Sequence, residues 1–176
     1  MLFKTNRFKI IKAIDEDFND YLEMVQQPEL FKFGALMTQE VQDKSKAKET
    51  FDIILMDKKS STFVVKNNNR VVGILTILYS ECLTTYEIGY VVNYKDWHNG
   101  IATEVTNAAL KYLFQEKNAS YVFATTVSNN LASRKVLEKC NFKLEGTLRN
   151  NCKLHNTLMD DVRYGITLTE WLRLHI

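Results

Sequence analysis

The residues best placed to do chemistry lie between Tyr86 and Thr103. Tyr86-Glu87-Ile88-Gly89-Tyr90-Val91-Val92 is β-branched and apolar around one carboxylate, and Asn93 ends it, which predicts a strand. A polar turn closing on His98-Asn99-Gly100 follows, and Ile101-Ala102-Thr103-Glu104 opens a helix. The first turn of a helix carries N–H groups with no internal acceptor, and the helix dipole favours an anion beside them. Gly100 has no Cβ to block the approach of a phosphate. Trp97, His98, Asn99, Gly100, Ile101, Ala102 and Thr103 therefore read in one of two ways. They form a pyrophosphate cradle, or Gly100 merely starts a helix.

Other elements must hold this stretch. Alternating charged and apolar residues predict a first strand over Arg7 to Ala13. Asp15 is placed to cap a helix reaching Gln26, with Phe18, Leu22 and Val25 on one face. Pro28, the only proline, marks a break. Thr38 is placed to cap a polar helix from Gln39 to Met56. The aromatic loop from Phe31 to Met37 before it is either buried or lines a cleft. Ser61 to Lys66 and Val71 to Ser80 read as strands around Asn67-Asn68-Asn69, residues that tolerate the left-handed conformation of a hairpin turn. The helix opened at Gly100 runs to Gln115, and Tyr121 to Thr126 is a further strand. Asn129 to Ser133 opens another helix, and Phe142 to Leu148 and Leu158 to Leu168 pair as the closing strands. Antiparallel strands come first and βα units after them, which predicts an α/β fold.

Composition narrows the function. The chain has 176 residues, 45% of them apolar and 25% charged, which suits a single domain over residues 1–176 with a sizeable core. A net charge of +2 gives no strong attraction to a polyanion, so no nucleic-acid partner is expected. No apolar run approaches the roughly 18 residues of a membrane span, and the first residues lack a signal-peptide core, so no membrane partner is expected. Cys82, Cys140 and Cys152 are odd in number and widely spaced. They form neither a metal pattern nor a disulfide framework, so no metal and a cytoplasmic setting are expected.

The order strand, W-x-x-G-x-A-T-E, helix, strand, N-x-x-S-x-x-x-L-E-K-x-x-F resembles the GCN5-related N-acetyltransferase (GNAT) family, and more narrowly its RimJ/RimL branch. Asn6-Arg7-Phe8 resembles that branch's opening strand, Glu87-Ile88-Gly89-Tyr90 its central strand and Phe142 to Gly146 its penultimate one. Asp160 and Glu170-Trp171 also match. The resemblance implies a mixed, mostly antiparallel central sheet splayed at its middle strands and flanked by helices. It implies acetyl-CoA as cosubstrate and an amine as partner, either a protein N-terminus, such as that of a ribosomal protein, or a small molecule such as a polyamine or an aminoglycoside-like amine. A monomer or a homodimer would serve.

The resemblance also assigns roles. The family's pyrophosphate loop carries Gln or Arg where this chain has Trp97, while Gly100 and Ala102 match. Val91 and Val92 match the segment whose backbone pairs with the pantetheine arm, and Asn130 the asparagine that hydrogen-bonds it. Asn130 also reads as a plain helix N-cap. A tyrosine that assists the leaving thiolate in many members is replaced by Leu137, which leaves a non-catalytic CoA-binding module as an alternative to an enzyme. The branch has a serine where Ser133 stands, so Ser133 is the candidate partner of the thiolate; otherwise it is a first-turn helix serine. Glu87 is the candidate base, because a carboxylate among apolar neighbours must be paired or stand in a cleft, and partial burial raises its pKa. It reads equally as a structural carboxylate holding a backbone donor. Tyr90 is placed to bind substrate or order a water chain. Asp160 and His155 are further candidates for the base.

Overall fold

The computed structural model describes residues 2–33, 43–57, 61–80 and 84–174. The chain forms β1 (Phe3–Lys4), β2 (Lys9–Ile11), α1 (Phe18–Val25), α2 (Pro28–Phe31), α3 (Lys44–Met56), β3 (Thr62–Asn67), β4 (Arg70–Ser80) and β5 (Thr85–Val92). Then come α4 (Ile101–Glu116), β6 (Tyr121–Val127), α5 (Leu131–Lys139), β7 (Lys143–Leu154), β8 (Thr157–Thr167) and α6 (Leu168–Arg173). The sheet order is β1-β2-β3-β4-β5-β6-β8-β7. β5 and β6 pair in parallel, and the pairs β1–β2, β2–β3, β3–β4, β6–β8 and β7–β8 are antiparallel. This is the mixed, mostly antiparallel sheet with helices that the family resemblance implies. Two compact units divide the chain: Met1–Thr76 with Tyr90–Val105, and Ile77–Gly89 with Thr106–Ile176.

In the first unit, α1 is amphipathic and buries Tyr21, Met24 and Val25 against Ala47 and Phe51 of α3, Ile74 of β4 and Val91 of β5. The Phe51 ring lies 5.0 Å from that of Tyr21 and 5.5 Å from that of Phe18, both tilted, as offset aromatic pairs prefer. The entry to α1 differs from expectation. A 3₁₀ turn over Asp15–Asp17 precedes the helix, and Asp17, not Asp15, accepts the Ile14 N–H at 3.1 Å. Asp17 also pairs with the buried Lys66 ammonium, whereas Asp15 is exposed. A buried ammonium requires a counter-ion, and Asp17 is the acidic residue that reaches it.

Two further boundaries move. The first predicted strand contracts to β2, paired between β1 and β3, because Arg7 turns out of it toward α4. The described part of the long polar helix starts at Lys44, capped by the Asp43 carboxylate at 2.7 Å from the Ser45 N–H. Thr38, the loop beyond Phe33 up to Met37, and Cys82 lie outside the described residues. The predicted Asn turn holds, with Asn68 at φ 54°.

In the second unit, β6 pairs with β8 from Tyr121↔Thr167 to Val127↔Asp161. β7 runs six residues past its predicted end at Leu148 because it forms a long bulged hairpin with β8, closed by His155 and Asn156, both left-handed. α5 buries Leu137, and its Arg134 Nε donates to the Tyr164 hydroxyl at 3.1 Å. α6 starts with a reciprocal Thr167–Glu170 cap. The Lys143 ammonium, with the Thr167 backbone and hydroxyl outweighing burial, holds Glu170 down at about 2.

Gly73 of β4 is fixed by packing: a Cβ there would stand 2.5 Å from the Val91 carbonyl oxygen. Gly73→Ala should therefore overpack this contact and lower stability by about 1–3 kcal/mol. Thermal unfolding checks this, and an unchanged midpoint would show that β4 and β5 part without cost.

Candidate active site

The site's first part lies in the first unit, where β5 ends and α4 begins. Buried Asn93 closes β5, its N–H donating to the Val72 carbonyl at 2.9 Å. Its side-chain oxygen accepts from Lys95 N at 3.0 Å and from Gln27 Nε2 at 2.9 Å, and Gln27 Oε1 accepts from Tyr94 N at 2.8 Å. Two amide side chains thus fix the turn. The Trp97 indole N–H donates to the Val92 carbonyl at 2.8 Å, and its backbone N–H donates to Tyr94 at 3.1 Å. Both Trp97 donors are spent inside the protein, and its ring packs on the α1–α3 core. Trp97 therefore builds the loop.

The chain then enters α4 through His98 at φ 62° and Gly100 at φ 70°, on either side of Asn99. The first bond of the helix runs from Glu104 N to Gly100 O at 3.0 Å, so the N–H groups of Ile101, Ala102 and Thr103 lie ahead of it. A helix start of this geometry is the kind that can receive an anion. The structure adds a backbone reason for Gly100. A Cβ there would meet no protein atom closer than Arg7 Nη2, at 3.9 Å, and the backbone stands at a left-handed φ of 70°. The left-handed φ is a second reason for glycine at this position, beside the room it leaves for a ligand.

The second unit holds the carboxylate. The β5–β6 ladder registers Thr85↔Tyr121, Tyr86↔Val122 and Glu87↔Phe123 and stops there, although both strands continue. Opposed residues share a face, so Glu87 lies beside Phe123. The Arg163 guanidinium covers the Phe123 ring at 3.7 Å, and its Nε lies 3.5 Å from Glu145, to which the Tyr121 hydroxyl is hydrogen-bonded. Burial pushes Glu87 above the usual carboxylate range, and the Arg163 charge offsets only part of this. Among the described residues no donor hydrogen-bonds the Glu87 carboxylate.

Asn130 caps α5, its Oδ1 accepting from Ser133 N at 3.1 Å, so these two residues are held together in one helix turn. Leu137 is core. Tyr90 and Val92 are half-buried on β5 and Val91 is buried. Asp160 accepts the Asn150 N–H at 2.9 Å within the β7–β8 hairpin, and His155 sits in that hairpin's turn. Among the described residues no group of His, Cys, Asp and Glu could hold a metal, and no helix is long and apolar enough to cross a membrane. The sequence reading missed Arg7 as a site residue: it donates to Glu104 at 2.7 Å and to the Asn99 carbonyl at 3.0 Å. An arginine 97 positions before the glutamate it pairs with leaves no signal in local periodicity.

Residues 7–143 match the model of the acetyltransferase (GNAT) domain, and the chain belongs to that family. It is an acetyl-CoA-dependent N-acetyltransferase. It is similar to the uncharacterized N-acetyltransferase YnaD of Bacillus subtilis (strain 168), 34% identical over 87 residues, an alignment spanning 49% of this chain and 51% of that protein. It is also similar to YoaA of the same strain, 24% identical over 169 residues, spanning 94% and 96%. The crystal structure of a GNAT-family acetyltransferase from Bacillus anthracis superposes with a TM-score of 0.84 at 26% identity, covering 95% of this chain and 98% of that one. The fold alone is shared with RimL, the ribosomal L7/L12 alpha-N-protein acetyltransferase, in complex with CoA (TM-score 0.79, 17% identity, 94% and 97% covered). It is likewise shared with the Vibrio cholerae spermidine N-acetyltransferase in complex with CoA and spermine (TM-score 0.78, 16% identity, 94% and 98% covered).

The two explanations of Gly100 make different predictions. Gly100→Val places a β-branched residue at φ 70° and should weaken CoA binding by about tenfold or more. Gly100→Asn, which tolerates this φ, should keep most of the affinity. Calorimetric titration of both folded variants decides. Equal losses would mean that the missing Cβ itself is required, and no loss in either would remove the cradle.

Proposed function

We propose that this chain works as one catalytic domain that acetylates the primary amine of a protein N-terminus, as the RimJ/RimL branch does, with Glu87 as the base. The observation that carries this is the half-buried Glu87 carboxylate, unbonded by any described donor, at the residue where the β5–β6 ladder ends. A structural carboxylate would hold a donor. A proton acceptor needs an open lone pair and a raised pKa. Acetyl-CoA supplies a thioester that an amine can attack. Glu87 takes the amine's proton directly or through water, and Tyr90 orders the substrate. The start of α4, Gly100 with Ile101, Ala102 and Thr103, holds the pyrophosphate, on a loop that Trp97, His98 and Asn99 build. Val91, Val92 and Asn130 bind the pantetheine arm, and Ser133 meets the departing sulfur. The Arg163 guanidinium beside Glu87 favours a single amine flanked by amides over a polycation, which a positive charge repels. Cys140 and Cys152 stand as thiols, which accords with a reducing, cytoplasmic setting.

Glu87→Gln should lower kcat/KM at neutral pH and remove the acid limb of the pH–rate profile, a limb set above the ordinary carboxylate range. Stability should move the other way. A carboxyl whose folded pKa is raised contributes its full stability below its unfolded pKa, and that contribution is lost as pH rises through the raised value. At neutral pH the ionised Glu87 is therefore held at a cost, and Glu87→Gln should leave the thermal midpoint unchanged or higher. A depressed midpoint with normal turnover would make Glu87 structural.

A panel of acceptors tests the substrate. Peptides with free N-termini should be turned over faster than spermidine or spermine, and a preference for polyamines would overturn the N-terminal assignment. In the same assay Ser133→Ala should lower kcat, toward the low end of the roughly 10²–10⁴-fold that a positioned acid contributes, with CoA affinity unchanged. Full kcat would leave Ser133 as a helix-start residue.

A further inference from the structure

The contacts of Arg7 converge on the entry to α4. Its Nε donates to Glu104 Oε2 at 2.7 Å, and its backbone N–H donates to Oε1 of the same carboxylate at 3.3 Å. Its Nη2 donates to the Asn99 carbonyl at 3.0 Å and lies 3.9 Å from where a Cβ on Gly100 would stand. One guanidinium thus ties the residue before Gly100 to the first turn of the helix after it.

Two physical consequences follow from this arrangement. Glu104 occupies the first turn of α4, where a carboxylate itself answers the positive end of the helix dipole. Burial works to raise its pKa, but hydrogen bonds from Thr5 and Arg7 outweigh burial and hold it below the usual range, so it is ionised at neutral pH. An uncompensated negative charge there competes with a phosphate for the same donors and repels it. The second consequence is geometric. A peptide unit is planar and trans, so a carbonyl and the N–H that follows it point in opposite directions. Holding the Asn99 carbonyl toward Arg7 turns the Gly100 N–H away from Arg7 and fixes its direction.

We infer that Arg7 is a positioning residue for the phosphates of acetyl-CoA: it cancels the Glu104 charge at the α4 N-terminus and locks the Asn99–Gly100 peptide. This rests on the reading of Gly100 to Thr103 as the pyrophosphate cradle. The Arg7 and Glu104 side chains are 47% and 25% exposed, and so open a pair adds little to stability. The effect of Arg7 therefore falls on affinity.

A double-mutant cycle read by calorimetric titration with CoA, alongside thermal midpoints, tests this. Arg7→Met should weaken binding by about tenfold with the midpoint nearly unchanged. Glu104→Gln alone should keep or improve affinity, because it removes the charge that Arg7 offsets. In the Glu104→Gln background the loss from Arg7→Met should shrink to about threefold, the remainder reporting the bond to Asn99. Arg7→Lys should fall between, since an ammonium restores charge without the planar fork. An undiminished loss in the Glu104→Gln background would overturn the proposal and make Arg7 a direct phosphate ligand. A lower midpoint with unchanged affinity would overturn it in favour of a structural role. Failure of the unmutated protein to bind CoA would remove the cradle, and the Arg7 inference with it.

Discussion

A strand that leaves a ladder must satisfy its backbone groups some other way, because an unpaired buried N–H or carbonyl costs as much as a lost hydrogen bond. β5 meets this constraint. Its registered pairing with β6 ends at Glu87↔Phe123, five residues before the strand itself ends at Val92. At the far end the Trp97 indole takes the Val92 carbonyl. On the opposite edge, toward β4, the Asn93 N–H reaches the Val72 carbonyl, and Gly73 lets the Val91 carbonyl approach at a distance no side chain would allow. The loop that leads into α4 is thus bonded to the strand it leaves. The direction in which α4 starts is set by those bonds before any ligand contributes.

The same economy governs the turn that follows. Asn93 is buried, and its side-chain oxygen serves two donors, one from the next turn and one from Gln27 just after α1. Gln27 answers with its own oxygen on the Tyr94 N–H. A reciprocal amide pair of this kind carries no net charge, so it can be buried without the desolvation that an ion pair incurs. A buried ion pair of this unit, Asp17 with Lys66, lies where β3 shifts register between Val65 and Lys66, and Asp17 also caps the turn into α1.

What the sequence made legible was local. The apolar run of β5, the glycine that starts α4, the Asn turn between β3 and β4 and the asparagine that caps α5 each follow from residue types within a few positions, and each stands near its predicted place. What it hid was long-range or reciprocal. Trp97 occupies a position that reads as ligand-facing, yet both its donors turn inward to Val92 and Tyr94. Asp15 and Asp17 are equally good caps by composition, and a lysine some fifty residues away selects Asp17. Gly100 stands at a left-handed dihedral angle, a demand on the backbone that spacing does not reveal. β7 extends past its predicted end because β8 is there to pair with it, and neither strand carries an alternating apolar pattern at that end.

Glu87 shows why such a site conflicts with stability. Burial disfavours the ionised carboxylate, and the fold offers it no described hydrogen-bond donor, only the charge of Arg163 on the same face. That charge is itself shared: the guanidinium lies on the Phe123 ring and leans toward Glu145, which also holds the Tyr121 hydroxyl. Were Arg163 moved into direct contact with Glu87, the carboxylate would become more stable and less basic, since a close opposite charge lowers its pKa. Were it removed, the carboxylate would be more basic but less often ionised at neutral pH. The observed arrangement lies between these limits. The Phe123 ring and Glu145 both engage the Arg163 guanidinium, and its charge offsets only part of the cost of burying the Glu87 carboxylate.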